Sequence, residues 1–518
     1  MTKRLPFTAR LRGAWLALTG KREDHFAATY GTGQVAGFAG GAVGRLTSSL
    51  ATWSGSVNAD LDLALPVLRA RARSLAANNE HGKRFLGMVA INVVGRQNPK
   101  LQVRAMRDQR DPKKPGTLDK TANDAIESHW ERWGRTADIS GRHPNLYSLM
   151  RTIVRGVARD GEALVRIVRR RSLPYGLGLQ LLEADRLDET LNGRLTNGNR
   201  IRQGVEVDSS LRPVAYHVRT AHPGESWSTM TQDVERIPAS DILHLFVPDR
   251  AEQVRGISWF HAVILRGSMI HKFEEAAVVA AQVGASKIAA LERAEEAPDA
   301  AAMMADGTAG GLHQMKVEAG ELFELPPGYK LSSWNPEYPH ANFESFLKTC
   351  LRGLAAGLDV AAHNLTGDMT DVNYSSARIA ELSEREMWMI LQDWLIGTFA
   401  TPIYEEWLAL SLLAGSITFD SGSALPADKL EKFTRAARFQ GRRWSWVDPL
   451  KEVEADASML SSLLTSRTRL AAERGEEFDD ILEELALESE AIKSAGLPVV
   501  PPPVKPMSTA PSGASSGA

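Results

Sequence analysis

The sequence is poor in cysteine and contains no long apolar run. Cys350 is the single cysteine among 518 residues, and one cysteine cannot form an intrachain disulfide, which suits a reducing compartment. Free cysteine is most often a small buried residue, and we expect that of Cys350. No apolar run reaches the roughly 18–20 residues that a bilayer span needs, so no membrane contact is expected. The basic segment 1–22 lacks the apolar stretch of a secretory signal.

Motifs of the common enzyme classes are missing as well. No GxxxxGK[ST], HExxH, CxxC or GxSxG pattern occurs, which removes the usual signatures of P-loop ATPases, zinc peptidases and α/β-hydrolases. Gly31, Gly33 and Ala36 match a dinucleotide loop only superficially, because no strand pattern precedes them. The histidines are scattered, and the nearest pair, His217 and His222, has no third histidine or cysteine nearby. We therefore expect no catalytic residue, no metal and no cofactor.

An excess of charge of one sign is also lacking. Lysine and arginine number 61 against 63 aspartates and glutamates, giving a net charge of −2. Such a chain does not coat DNA as a polycation would.

Two local clusters of charged residues each allow more than one interpretation. Glu183 and Asp185 fit a metal or acid/base pair, or more simply satisfied carboxylates at a strand end. The arginines at 166 and 169–171 fit a phosphate contact, a solvated strand end or a subunit contact.

The sequence does contain alternating helix and strand patterns, so the expected fold class is α+β and helix-rich. Residues 60–95 and 119–160 have helical periodicity, with Trp130 and Trp133 on one core-facing side. Asp160 and Gly161 predict a turn. The strand patterns that follow cover 162–168, 178–184, 201–208, 213–220 and 242–247.

The pattern changes after Ser258. Residues 259–297 lack proline and predict one long helix, or two in series, of roughly 57 Å in total. An acidic insert follows, because the range 293–340 holds eight acids and three bases. A second helix is predicted over 342–358, then a polar loop over 359–373 and another long helix from about Ser375.

Five sets of segments are more distinctive than the composition. They are 73–79 with 93–95, 160–162 with 181–185, His244 with 249–258, 371–378, and 446–452 with 467–476. In this order they resemble the lambda-type portal proteins of tailed bacteriophages over most of the chain. The most specific match is Asn373-Tyr374-Ser375-Ser376-Ala377-Arg378. Gln253-Val254-Arg255-Gly256 fits the family's Gln-x-Arg-Gly, although Glu252 stands where the family often has glycine.

The resemblance implies a non-enzymatic subunit of a ring of about twelve copies at one capsid vertex, through which DNA is packaged and ejected. The implied partners are double-stranded DNA, terminase, capsid and scaffold proteins, and head-completion or tail-connector proteins. The implied location is the virion, with the host cytoplasm during assembly.

The family architecture has a mixed α/β wing, a helical stem, a small clip and a helical crown. Along this chain the resemblance implies a flexible N-terminal arm (1–59), wing (60–255), stem helix (256–297), clip (298–340), second stem helix (341–358), tunnel loop (359–373), helices near the wing and crown (374–419), crown (420–495) and a disordered tail (496–518). The tail is mostly Pro, Ser, Gly and Ala, which cannot repay the entropy of ordering.

Three groups of candidate site residues follow from the resemblance. The polar tunnel loop would face DNA through Asn364, Thr366, Asp368 and Thr370. The subunit-contact candidates are Asn373, Tyr374 and Arg378, although Asn373 or Ser375 also suits the N-cap of the next helix. The clip would meet terminase and later an adaptor through Glu318, Glu321 and Glu324.

The charge balance is compatible with a DNA channel. A duplex carries about one charge per 1.7 Å of its axis, so a strongly basic channel would hold it and a neutral or acidic one would let it slide. Two alternatives stay open: a nuclease that uses scattered carboxylates, and a different capsid or tail component. Magnesium-dependent cleavage of DNA by the pure protein would favour the nuclease.

Overall fold

A computed structural model describes residues 55–107, 118–225, 233–285, 289–293, 329–333, 343–370, 372–419, 421–444, 449–474, 476 and 478–494. All elements named below belong to the compact unit that begins at Val57. Several predictions fall outside the described residues: almost all of the N-terminal arm with Gly31, Gly33 and Ala36, most of the clip with Glu318, Glu321 and Glu324, and the tail.

The described chain mixes helices and strands, as the sequence predicted. The helices are α1 (Val57–Asn78), α2 (Glu80–Val89), α3 (Lys120–Gly134), α4 (Leu146–Asp160), α5 (Ile264–Ala285), α6 (Phe343–Ala356), α7 (Ala362–Thr366), α8 (Tyr374–Leu395), α9 (Thr401–Leu413), α10 (Leu430–Ala436), α11 (Pro449–Ser461), α12 (Arg467–Glu473) and α13 (Phe478–Ser494). The strands are β1 (Lys100–Val103), β2 (Glu162–Arg169), β3 (Leu177–Leu182), β4 (Gly193–Arg194), β5 (Arg200–Arg202), β6 (Val205–Val207), β7 (Pro213–Arg219), β8 (Val234–Pro238), β9 (Ile242–Phe246), β10 (Ala289–Arg293), β11 (Tyr329–Ser333) and β12 (Ala437–Gln440).

The strands form small antiparallel sheets. One sheet has the order β3-β2-β9, and a second, of five strands, runs β4-β5-β6-β7-β8. β1 pairs with β12, so a strand from the predicted crown lies beside one from the predicted wing. Helix α4 packs its apolar face against these sheets. Its residues Leu149, Ile153 and Val157 recur at helical spacing and are fully buried.

The main core is centred on aromatic side chains of α3 and α9. Trp130 lies 4.9 Å from Trp133 and 5.2 Å from Trp407 between ring centroids, and Tyr404 lies 5.7 Å from Trp130. The prediction that Trp130 and Trp133 face the core is confirmed. Cys350 is only half-buried, packed at the edge of this core, because α6 contributes one face to it.

The expected helix over 259–297 is wrong in its extent. Residues 259–263 form turns, α5 ends at Ala285, and β10 follows, paired with β11 in an antiparallel register. Strand pairing with a distant segment overrides the helical propensity of this alanine-rich stretch, which composition alone could not reveal. The polar loop also differs from a plain loop, because it contains the short helix α7.

No helix among the described residues combines the length and hydropathy needed to cross a membrane.

Candidate functional site

A buried carboxylate, Glu162, lies where α1, β2, β9 and the 249–258 segment meet. It accepts hydrogen bonds from Arg69 at 3.0 Å, from Nε of Arg255 at 2.9 Å, from Nε2 of His244 at 2.9 Å and from the backbone N–H of Gly256 at 3.0 Å. A further contact joins the Arg255 guanidinium to the same carboxylate. Glu162, Arg69 and Arg255 are at most 1% exposed, so these charges face one another in the protein interior.

A second layer of ion pairs surrounds this centre. Asp160 accepts from Nε of Arg73 at 2.8 Å and from Arg159 at 2.7 Å. Asp185 accepts from Arg69 at 3.0 Å and contacts Arg73 as well. Because α1 contributes both Arg69 and Arg73, the network joins this helix to the end of α4 and to the turn after β3.

The network lowers the pKa of the Glu162 and Asp160 carboxyl groups. Burial by itself would raise the pKa of Glu162, but the charge of Arg255 and the contact with His244 hold that pKa well below its usual range. Burial likewise opposes the shift at Asp160, whose pKa is lowered by Arg159 and Arg73. Both carboxyl groups are therefore ionised at neutral pH and act as permanent acceptors.

Two glycines let the backbones meet beside Glu162. Gly161 has a φ of +95°, which side chains with a Cβ rarely adopt. A Cβ on Gly256 would lie 2.0 Å from the carbonyl oxygen of Gly161. Gln253 closes the adjoining turn by accepting from the backbone N–H groups of Asp249 and Arg250, and the turn forms with Glu252, which has no positive φ, in place of glycine.

Four separate sequence segments thus converge on one cluster. Asp160-Gly161-Glu162, Asp185, His244 and Gln253-Val254-Arg255-Gly256 are joined through hydrogen bonds to Glu162, Arg69 and Arg73. The acceptor oxygens of Glu162 are buried and already hydrogen-bonded within the protein, so the cluster joins these segments to one another. Sequence reasoning missed Arg69 as a member, although its spacing continues the buried Leu61 and Leu65 stripe of α1.

The ambiguous pair Glu183 and Asp185 lies beside His222, with one ligand atom of each within 4.8 Å of the others. Arg69 contacts one carboxylate oxygen of Asp185 and Arg73 contacts the other. Any cation bound there would therefore lie beside two positive charges. The simpler interpretation, a satisfied carboxylate, therefore suits Asp185.

Two arginines of the basic cluster are also paired, Arg166 with Glu235 at 2.7 Å and Arg169 with Asp241 at 2.6 Å.

The predicted loop residues are partly satisfied by the loop itself. The Thr366 hydroxyl donates to the Ala362 carbonyl at 2.8 Å, and Asp368 accepts from the hydroxyl of Thr370 at 2.6 Å. This hydrogen bond is the main reason why the pKa of Asp368 is lowered. The Lys348 ammonium donates to the Thr370 hydroxyl at 3.1 Å.

The start of the same loop is joined to two helices. Asn364 donates to the Glu384 carboxylate of α8 at 2.9 Å, and its carbonyl accepts from Nε of Arg84 of α2 at 2.6 Å. A cavity of about 240 Å³ opens beside these contacts, lined in part by Trp388 and Trp444. Sequence reasoning named Asn364 but not Arg84 or Glu384, which lie 280 and 20 residues away from it.

Asn373 is the N-cap of α8, which confirms the helix-capping interpretation. Its side chain accepts from the backbone N–H of Ser376 at 2.8 Å, and the Ser376 hydroxyl accepts from the N–H of Asn373 at 3.2 Å. Arg378 is exposed in the second turn. The subunit-contact role of Asn373, Tyr374 and Arg378 stays a prediction.

Comparison with known proteins agrees with this arrangement of motifs. The family model described as "Phage portal protein, lambda family" matches residues 43–392. The probable portal protein of Halomonas phage phiHAP-1 is 30% identical over 88% of this chain and 86% of its own length. Portal protein B of Escherichia phage lambda is 20% identical over 57% of this chain and 59% of its own length. The chain therefore belongs to the lambda family of phage portal proteins.

Two solved structures also match this chain, at lower sequence identity. A chain of the virion of a native gene transfer agent particle matches 79% of this chain and 93% of its own length, with 14% identity and a TM-score of 0.41. An HK97 family phage portal protein from Corynebacterium diphtheriae matches 75% of this chain and 98% of its own, with 12% identity and a TM-score of 0.31. At these TM-scores, the family assignment depends on the sequence matches.

Proposed function

We propose that this portal protein forms a closed ring of about twelve subunits at one capsid vertex and conducts double-stranded DNA without covalent chemistry. The ring binds terminase during packaging, capsid and scaffold proteins during assembly in the host cytoplasm, and head-completion or tail-connector proteins afterwards. In this proposal the wing is 60–255, the stem is 256–297 with 341–358, the clip is 298–340 and the crown is 420–495.

The observation that carries the ring is a set of unpartnered apolar side chains on α5 and α8. Leu265 and Met269 of α5 are 68% and 62% exposed, and Ile379 and Ile390 of α8 are 71% and 68% exposed. Exposed apolar residues repeated along one long helix indicate a protein contact. A closed ring buries two different faces of each subunit, and two such helices per subunit supply those faces.

The channel role is assigned to the loop 359–373 between α6 and α8. Asn364, Thr366, Asp368 and Thr370 place hydroxyl, amide and carboxylate groups there. The hydroxyl and amide groups bind phosphate weakly and the carboxylate repels it, so DNA can slide. Asn373, Tyr374 and Arg378 contact the neighbouring subunit. The clip residues Glu318, Glu321 and Glu324 contact terminase and then an adaptor.

Shortening residues 362–371 in procapsids tests the loop. We expect assembled rings that package or retain less DNA than the unaltered protein does. Unchanged packaging and retention would refute the role of the loop. Incubation of the pure protein with DNA and Mg²⁺ tests the absence of catalysis, and cleavage that co-purifies with the ring would favour a nuclease instead.

A further inference from the structure

We infer that Glu384 is a positioning residue that fixes the start of the 361–370 segment, and that this fixation controls retention of DNA. The inference rests on the proposed channel role of the loop. It concerns a residue of α8, outside the loop itself, and it follows from the contacts that this carboxylate makes.

Three donors converge on the Glu384 carboxylate, which is 6% exposed. Oε2 accepts from the backbone N–H of Ala361 at 2.8 Å and from the side chain of Asn364 at 2.9 Å. Oε1 accepts from the indole N–H of Trp388 at 3.0 Å. One oxygen thus serves the loop and the other serves the helix, so the loop is attached to α8 through a single side chain.

The sequence position of Glu384 supports a specific role. It lies one helical turn before Trp388 and two turns before Gln392, on the face of α8 that is buried. A charged residue on such a face is costly unless it is fully hydrogen-bonded, and two of its three donors come from the loop. Packing of α8 alone does not require a carboxylate there.

The two ends of the segment are held differently. Its start is fixed by Glu384 and also by Arg84, whose Nε donates to the Asn364 carbonyl at 2.6 Å. Beyond Gly367, which has a φ of +79°, the tip is held by exposed contacts between Lys348 and Asp368 or Thr370. Exposed ion pairs are weak, so Glu384 has the larger effect on the path of the loop.

The test compares Glu384→Gln with Glu381→Gln in the full-length ring. Glu381 lies one turn earlier and pairs with Arg385 at 3.4 Å, which makes it a matched control outside the loop contacts. A glutamine at 384 has one acceptor oxygen and turns an amide N–H toward donors. We expect hydrogen exchange in peptides covering 359–370 to become about tenfold faster or more, with the control unchanged and exchange in α3 and α9 unaffected.

A compensating exchange separates positioning from general stability. Asn364→Asp by itself should loosen the loop, because it places two carboxylates opposite each other. In the double variant, Glu384→Gln with Asn364→Asp, the glutamine amide can donate to the aspartate carboxylate. We expect the double variant to recover part of the slow exchange and DNA retention that each single variant loses; the Ala361 N–H, which shares Oε2 of Glu384 with Asn364, regains no acceptor. Faster exchange throughout the chain without recovery, or unchanged loop exchange in Glu384→Gln, would overturn the inference. If loop exchange follows Glu384 but loop shortening leaves packaging intact, the channel role fails instead.

Discussion

Replacing Glu162 by glutamine should remove the centre of the buried ionic network. The substitution keeps the shape of the side chain but leaves the guanidinium groups of Arg69 and Arg255 without their shared counter-charge. Breaking a buried ion pair by removing one partner costs about 3–5 kcal/mol. The amide also offers only one oxygen to donors that now share two, which adds to the loss. Since whole domains are stable by about 5–15 kcal/mol, the variant should be close to unfolding.

The assay is urea unfolding of the full-length protein at one fixed subunit concentration, because assembly itself adds stability. The matched control is Glu235→Gln, which breaks the more exposed pair with Arg166; the Glu235 side chain is 48% exposed. That control should lose at most about 1 kcal/mol. A loss of less than 1 kcal/mol for Glu162→Gln, or equal losses for the two variants, would refute the idea that the network stabilises the fold.

Three further predictions concern the same framework. Gly256→Ala should yield unfolded or strongly destabilised protein in circular dichroism, because the added Cβ would lie 2.0 Å from the Gly161 oxygen. The control is Gly87→Ala, whose Cβ would have nothing within 4 Å. That control should be neutral or stabilising by up to about 1 kcal/mol. The lowered pKa of Glu162 means that this group holds fewer protons in the folded state than in the unfolded one, so its contribution to the free energy of unfolding should be constant above the ordinary pKa of 4.5 and fall as pH drops below it toward the folded pKa; an acid limb of the same slope in Glu162→Gln would contradict this. Asn373→Ala should cost about 1 kcal/mol in thermal unfolding, with Ser375→Ala, outside the capping box, as control, and equal effects would contradict the capping role.

Local patterns predicted much of the fold. The helical spacing of Trp130 and Trp133, the turn at Gly161 and the short strands that follow are all signals carried by neighbouring residues. β10 was missed because its pairing with β11 depends on a segment about forty residues away. Alanine-rich sequence has a helical preference, and only the tertiary partner decides otherwise.

The buried network was only half visible in the sequence. The segments holding Asp160-Gly161-Glu162 and Arg255-Gly256 were noted as distinctive, but nothing local shows that they touch. Arg69 is more instructive, since an arginine on an apolar helical stripe indicates a buried counter-charge. The identity of that partner, 93 residues away, required the structure. The anchoring of Asn364 by Glu384 was missed for the same reason.

Cryo-electron microscopy of the purified full-length protein shows whether the subunits form a channel. We expect closed rings of about twelve subunits with a central channel, the exposed apolar residues of α5 and α8 buried between neighbours, and residues 359–373 lining the channel wall. Monomers, open filaments or shells would contradict it, and so would rings in which the loop lies on the outer surface.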